Sequence, residues 1–113
     1  DVKSAYYRQY AIVREDAVLG DISGEALRDA LVHAMTKAHV PCFVGSCAEV
    51  YREKVFVASG DAPRTRFKNA KIFTERGFCF LTHHTITSEE LAEMCLKIQM
   101  TLSEFSNEKA LSD

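Results

Sequence analysis

The chain lacks most of the features that would announce a function. It has no basic excess: 14 Lys and Arg stand against 16 Asp and Glu, for a formal net charge of −2. A nucleic-acid binder needs a concentrated basic footprint and a lipid-bound arm needs clustered cations, so neither nucleic acid nor membrane is an expected partner. No apolar run approaches the roughly 18 residues of a membrane span. The chain opens at Asp1, without Met and without a signal-peptide pattern. Its four cysteines, at positions 42, 47, 79 and 95, form no C-x-x-C pair. Without a secretion signal they read as free thiols in a reducing compartment, the cytoplasm. There is no Walker pattern and no G-x-G-x-x-G, and no internal repeat or low-complexity segment.

What is present suffices for one folded unit. The 113 residues, 47% of them apolar, make a single domain over 1–113, able to bury roughly 65% of its unfolded surface and stable by a small margin. A strand pattern begins almost at Asp1, so the chain is expected to be a piece of a longer polypeptide.

Residues 4–14 alternate and are rich in aromatic and β-branched types, which predicts a strand covered on both sides. The tyrosines at 6, 7 and 10 read as core or interface residues. Residues 24–39 predict a helix capped by Ser23, with Leu27, Ala30, Leu31, Ala34 and Ala38 on its apolar stripe. Pro41 stops it, and Cys42–Val44 follows as a strand. A short helix near 48–56, a flexible loop over 57–63 and a helix over 64–76 come next, the last with Phe67, Ala70 and Phe73 inward and Gly77 as its C′ stop. Phe78–Leu81 reads as a buried strand. Thr87 and Glu90 form a capping box for a final helix from 88 to about 106. On its apolar face lie Leu91, Met94, Cys95, Ile98, Leu102 and Phe105, and Glu93 pairs with Lys97. Cys79 and Cys95 both read as core residues. Residues 107–113 are expected to fray. The fold class is α+β: a small, mostly antiparallel sheet with helices packed on it.

Three places carry candidate chemistry. Gly45-Ser46-Cys47-Ala48-Glu49 is a small-residue loop after a strand, able to offer backbone N–H groups and the Ser46 hydroxyl to an anion. Cys47 is the best placed thiol for a nucleophile, with His83 or His84 as the base it would need. The two histidines precede a helix N-terminus that itself favours anions; polar turn residues would look the same. The Cys and His spacings do not make a zinc site, so no metal is expected.

Three segments, in order, resemble the C-terminal domain of the DegT/DnrJ/EryC1/StrS family of nucleotide-sugar aminotransferases, which are fold-type I pyridoxal-phosphate (PLP) enzymes. AYYRQYAIVRED (5–16) resembles the strand that opens that small domain. HVPCFVGSCAEVYREKVF (39–56) is similar to the family's turn, G-S-C-x-E-I-Y loop and short helix, and is the most specific of the three. NAKIFTERGFCFLTHHTITSEEL (69–91) resembles the family's strand, His-Pro turn and capped helix, with His84 in place of the usual Pro. The large domain that carries PLP and its Schiff-base lysine has no counterpart here; Lys54 and Lys71 stand in the wrong context.

The resemblance implies the small domain of a fold-type I enzyme, packed on a large PLP-binding domain of the same polypeptide and closing one wall of the active-site cleft. The parent would be a homodimer transferring an amino group, with glutamate the expected donor, to a keto group of a nucleotide-linked sugar destined for surface polysaccharide or a related glycoside. It further implies that Gly45, Ser46, Glu49, Tyr51 and His83 contact the nucleotide-sugar substrate. The isolated chain would hold no catalytic residue and no cofactor, and would be inactive. Two other readings remain open from the residues alone: a free-standing α+β binding or regulatory module that self-associates through its tyrosine strand, and a small enzyme with Cys47 as nucleophile.

Overall fold

The computed structural model describes residues 7–14, 22–45 and 47–110. Its elements run β1 (Arg8–Ile12), α1 (Gly24–Lys37), β2 (Cys42–Phe43), a single 3₁₀ turn (Val50–Arg52), α2 (Lys54–Ser59), α3 (Lys68–Arg76), β3 (Gly77–Leu81) and α4 (Ser88–Ala110). The expected α+β class holds. The three strands form one antiparallel sheet in the order β1-β3-β2, with β3 central.

Register decides which side chains meet. Ala11 pairs with Phe78, Gln9 with Phe80, and Cys42 with Phe80. Alternation therefore puts Ala11, Phe78, Phe80 and Cys42 on one face of the sheet. That face joins Leu27, Leu31 and Met35 of α1, with Val13 and Val40, in a single core; Met94, Ile98 and Phe105 of α4 pack against it. Phe78 and Phe80 meet edge to face at 5.5 Å. The other face carries Arg8, Tyr10, Cys79 and Phe43. There the Arg8 guanidinium lies 5.2 Å from the Phe43 ring centre, and Phe73 of α3 packs on Tyr10 at 5.4 Å.

Ser23 caps α1 as expected, accepting from the Ala26 N–H at 3.1 Å. The helix ends two residues short of the predicted 39, and for a specific reason. His39 adopts a left-handed φ of 60°, its N–H donates to the Thr36 carbonyl, and the Val40 N–H donates to the Met35 carbonyl at 2.9 Å. This is a Schellman ending with histidine in the glycine position, and its apolar pair is Val40 against Met35, both fully buried. The stripe of α1 also differs: Arg28, 4% exposed, is buried beside Leu27, Leu31 and Met35.

Other boundaries shift. The described strand β1 is shorter than 4–14, and Tyr6 lies outside the described residues. The helix expected over 48–56 is broken at Glu53, whose backbone is extended (φ −61°, ψ 146°), so α2 occupies part of the predicted 57–63 loop. The next helix begins at Lys68 rather than 64, and Phe67 is 58% exposed rather than inward. Gly77 is extended (φ −84°, ψ 141°) rather than a left-handed stop, so α3 runs straight into β3. The β3 strand is buried from Gly77 to Cys79, while Leu81 is exposed.

The capping box of α4 is present: the Thr87 N–H donates to Glu90 Oε2 at 2.8 Å and the Glu90 N–H to Thr87 Oγ1 at 3.2 Å. Glu93 and Lys97 pair at 2.7 Å. The inward stripe is Met94, Ile98, Thr101 and Phe105, whereas Leu91, Cys95 and Leu102 are turned outward. Cys95 is thus an exposed thiol and not a core residue; Cys42 and Cys79 are buried. The helix continues through Ala110, past the Asn107 boundary at which fraying was expected.

Candidate functional site

The antiparallel register places the loop after β2 beside the junction of α3 with β3. Val44 and Gly45 therefore lie next to Gly77, and Gly45 with the 47–53 segment faces the last turns of α3 across a cavity of about 240 Å³. Gly45, Cys47, Glu49 and Arg52 line one wall; Phe73 and Thr74 line the other. Gly45 packs close to β1: a Cβ there would stand 3.0 Å from Tyr10 Cε1, tighter than an ordinary contact. The cavity is below the ~300–1,000 Å³ of a drug-sized pocket. It can take one ring or polar group of a larger ligand, not a whole nucleotide sugar.

Glu49 organises the wall on which it sits. Its carboxylate is 3% exposed. Arg66 grips it with a fork: Nε donates to Oε1 at 2.8 Å, and Nη2 donates to Oε2. The Tyr51 hydroxyl donates to Oε1 at 2.7 Å and accepts from the Phe67 N–H at 3.1 Å. Arg52 Nη1 lies 3.6 Å from Oε2. The Arg66 hydrogen bonds, opposed by burial and helped by Tyr51, hold the Glu49 carboxyl at about 2, far below its ordinary value. Burial and the Glu49 carboxylate raise the Tyr51 phenol. The same pairing raises Arg66 further above its ordinary value. Arg66 Nη1 also reaches Glu75 Oε1 of α3, at 2.9 Å.

The α3 wall is held from behind. Arg28 of α1 donates through Nη1 to the Thr74 carbonyl and pairs with Asp29 at 2.7 Å. The Thr74 hydroxyl oxygen is buried without a hydrogen-bond partner, and Thr74 lines the cavity.

The structure thus brings Gly45, Glu49 and Tyr51 together. Ser46 lies outside the described residues. His83 is not part of this group. Leu81, at the far end of β3, donates its N–H to the Pro41 carbonyl, so the 83–85 turn lies beyond the sheet end opposite Gly45. There the His83 Nδ1 accepts from the Thr85 N–H at 3.3 Å and lies 2.8 Å from Thr85 Oγ1. The following helix end is closed by Glu90, whose carboxyl is lowered by hydrogen bonds from Thr87. The same separation bears on Cys47. Its Sγ lies 3.6 Å from Glu53 Oε1, and the histidine a nucleophile would need stands at the other end of the sheet.

Arg66 and Glu75, which complete the network, have no local signature. Arg66 is one of two arginines between Pro63 and Phe67, and its partner Glu49 is 17 residues away. Among the described residues no group of three or more His, Cys, Asp or Glu is arranged to hold a metal ion. Among them, too, no helix is long and apolar enough to cross a membrane.

No family model matches the chain, and no curated protein matches it. Among solved structures it is similar to the aminotransferase from Psychrobacter cryohalolentis, at 33% identity and a TM-score of 0.78 over 92% of this chain. The match spans 25% of that aminotransferase, so this chain corresponds to about a quarter of its length.

Proposed function

We propose that this chain is the C-terminal, small domain of a PLP-dependent aminotransferase of the DegT/DnrJ/EryC1/StrS family. Its parent acts on a keto group of a nucleotide-linked sugar, for surface polysaccharide or a related glycoside. The observation that carries this reading is the 33% identity over 92% of the chain to a quarter of an aminotransferase. The family and the sugar substrate rest on the three resembling segments, of which 39–56 supplies the cavity residues Gly45, Cys47, Glu49 and Arg52.

PLP needs a lysine amine set in a cradle for its ring and phosphate. Among the lysines whose side chains are described, Lys37, Lys54, Lys68 and Lys71 are exposed, and Lys97 is engaged with Glu93 at 2.7 Å. In this reading the cofactor belongs to a large domain of the same polypeptide, and no step of amino transfer falls to residues of this chain. What the chain contributes is binding and enclosure. The Gly45 loop, backed by the Glu49–Arg66–Tyr51 network, forms part of the cleft wall, and its cavity receives a polar portion of the substrate. Glu49 and Tyr51 already use their hydrogen bonds within the protein, so they hold that wall in shape. The parent works in the cytoplasm as a homodimer.

The test is the mass of the full product of the source gene, read with its visible absorption spectrum. The expected result is a polypeptide several times this length with a PLP band, which converts a keto sugar nucleotide to its amine. A product that ends near Asp1 and carries no chromophore would overturn the reading, leaving a free-standing binding module.

A further inference from the structure

The cavity has two walls that are fixed in different ways. The α3 wall is tied to the core by α1, through the Arg28 guanidinium on the Thr74 carbonyl. The loop wall is held differently: among the described residues between β2 and the 3₁₀ turn, none belongs to a helix or strand. It is held where Glu49 meets Arg66 and Tyr51. Arg66 is the group that spans both walls. Its Nε and Nη2 hold Glu49 on the loop, and its Nη1 holds Glu75, the residue after Thr74 on α3. A planar fork divided between two carboxylates sets a distance as well as a charge balance; a lysine ammonium cannot do the same. The pair is shielded, with the Glu49 side chain 3% exposed and that of Arg66 33%, so water competes weakly for it.

We infer that Arg66 is a positioning residue of this site: it clamps the loop wall to α3 and thereby sets the width of the cavity beside Gly45. The ligand in question, a polar part of the keto-sugar substrate, rests on the function proposed above; the clamp rests on geometry alone. Because Arg28 holds α3 independently, loss of Arg66 should loosen the loop wall and leave the α1 core in place. A ligand that needs both walls would then bind less tightly, with little change in the rate once bound.

Two measurements separate the clamp from the functional reading. The first is amide hydrogen exchange in R66Q and R66K, read on this domain in the full polypeptide. The reporters are the Arg52 and Glu53 N–H groups, which donate to the Glu49 and Val50 carbonyls at 2.8 and 3.0 Å. Their exchange should quicken about tenfold or more in R66Q, less in R66K, with the Leu31 and Met35 amides of α1 unchanged. Exchange at the wild-type rate, or an equal loss of protection throughout α1, would overturn the clamp. Should R66Q fail to fold, E75A removes the acceptor of the α3 arm and leaves Glu49 gripped, and it must give a smaller loosening of the same two amides. The second measurement uses the full polypeptide. R66Q should raise KM for the keto-sugar nucleotide about tenfold, the scale of a small misplacement of a binding wall, with kcat altered less than about twofold. An unchanged KM with a loosened loop would overturn the positioning role. A wild-type polypeptide without amino-transfer activity would overturn the functional reading and the ligand named here, while the exchange result still decides the clamp.

Discussion

Replacing Gly77 by alanine sets backbone preference against packing, and the structure indicates which effect wins. At φ −84° and ψ 141° the backbone suits any residue. On that ground alone, Gly77→Ala would stabilise by about 0.4–1 kcal/mol, by reducing the freedom of the unfolded chain. Packing opposes it. A Cβ at this position would fall closer than 3.0 Å to the Phe73 carbonyl oxygen and 3.2 Å from two atoms of the Phe73 ring. Neither can yield easily. The carbonyl accepts the Gly77 N–H at the end of α3, and the ring is packed on Tyr10 at 5.4 Å. Overpacking of this kind costs about 1–3 kcal/mol. The net effect should be a destabilisation of about 1–2 kcal/mol, or a fall in Tm of about 5–15 °C for a domain of this size. Thermal unfolding followed by far-UV circular dichroism reads it directly. An unchanged or raised Tm would refute the packing argument, and with it the tight α3–β3 junction that shapes one end of the cavity.

Four further outcomes follow from the same geometry. His39→Gly should raise the urea midpoint, with a gain of about 0.5–1 kcal/mol, because a left-handed φ costs a side-chain-bearing residue more than it costs glycine. Met35→Ala should cost about 2–5 kcal/mol by chemical denaturation, since the side chain is 0% exposed in the centre of the core. Acid should weaken the chain through Glu49, whose carboxyl is lowered from 4.5 to about 2. The stabilisation is complete above pH 4.5 and is lost as pH falls towards 2, so urea midpoints in that window should fall more steeply for wild type than for Glu49→Gln. Thr87→Ala should cost about 1 kcal/mol through loss of the α4 cap, seen as early fraying of α4 in amide exchange.

What could be read in advance was local. Ser23, the Thr87–Glu90 box and the Glu93–Lys97 pair act within one turn of the chain, and all three are present as expected. The apolar run Phe78–Leu81 needed no partner to be read as a buried strand, although Leu81 is exposed and its central place in the sheet shows only in the fold. The departures arise where tertiary partners overrule local pattern. Phe67 was expected inward by helical period, but Arg66 is drawn to Glu49, and α3 starts only at Lys68. Cys95 fits an apolar stripe until Thr101, a polar residue, is seen to take a buried place on it. That rotates the stripe and leaves Cys95 outside. His83 and Gly45 looked like members of one group, and the antiparallel pairing of β2 with β3 puts them at opposite sheet ends. The Gly45–Glu49 loop could be singled out in the sequence, and it lines the cavity, whereas the arginine that holds Glu49 could not, because the two meet only in the folded chain.

The central position of β3 also governs the order in which this domain can be made. Among the described residues, β1 and β2 do not pair with each other, and each pairs with β3. The β1–β3 partners are separated by 65 to 73 residues of chain, from Ile12 with Gly77 to Arg8 with Leu81. Closing so long a loop comes before any reward from strand pairing. During synthesis, α1 can form as soon as it emerges, but the sheet cannot exist until Phe78–Leu81 has left the ribosome. Until then β1, with Tyr10 on it, lacks the strand it pairs with. A chain cut short before β3 would lose every described strand pairing, and with it the sheet face on which α1 buries Leu27, Leu31 and Met35.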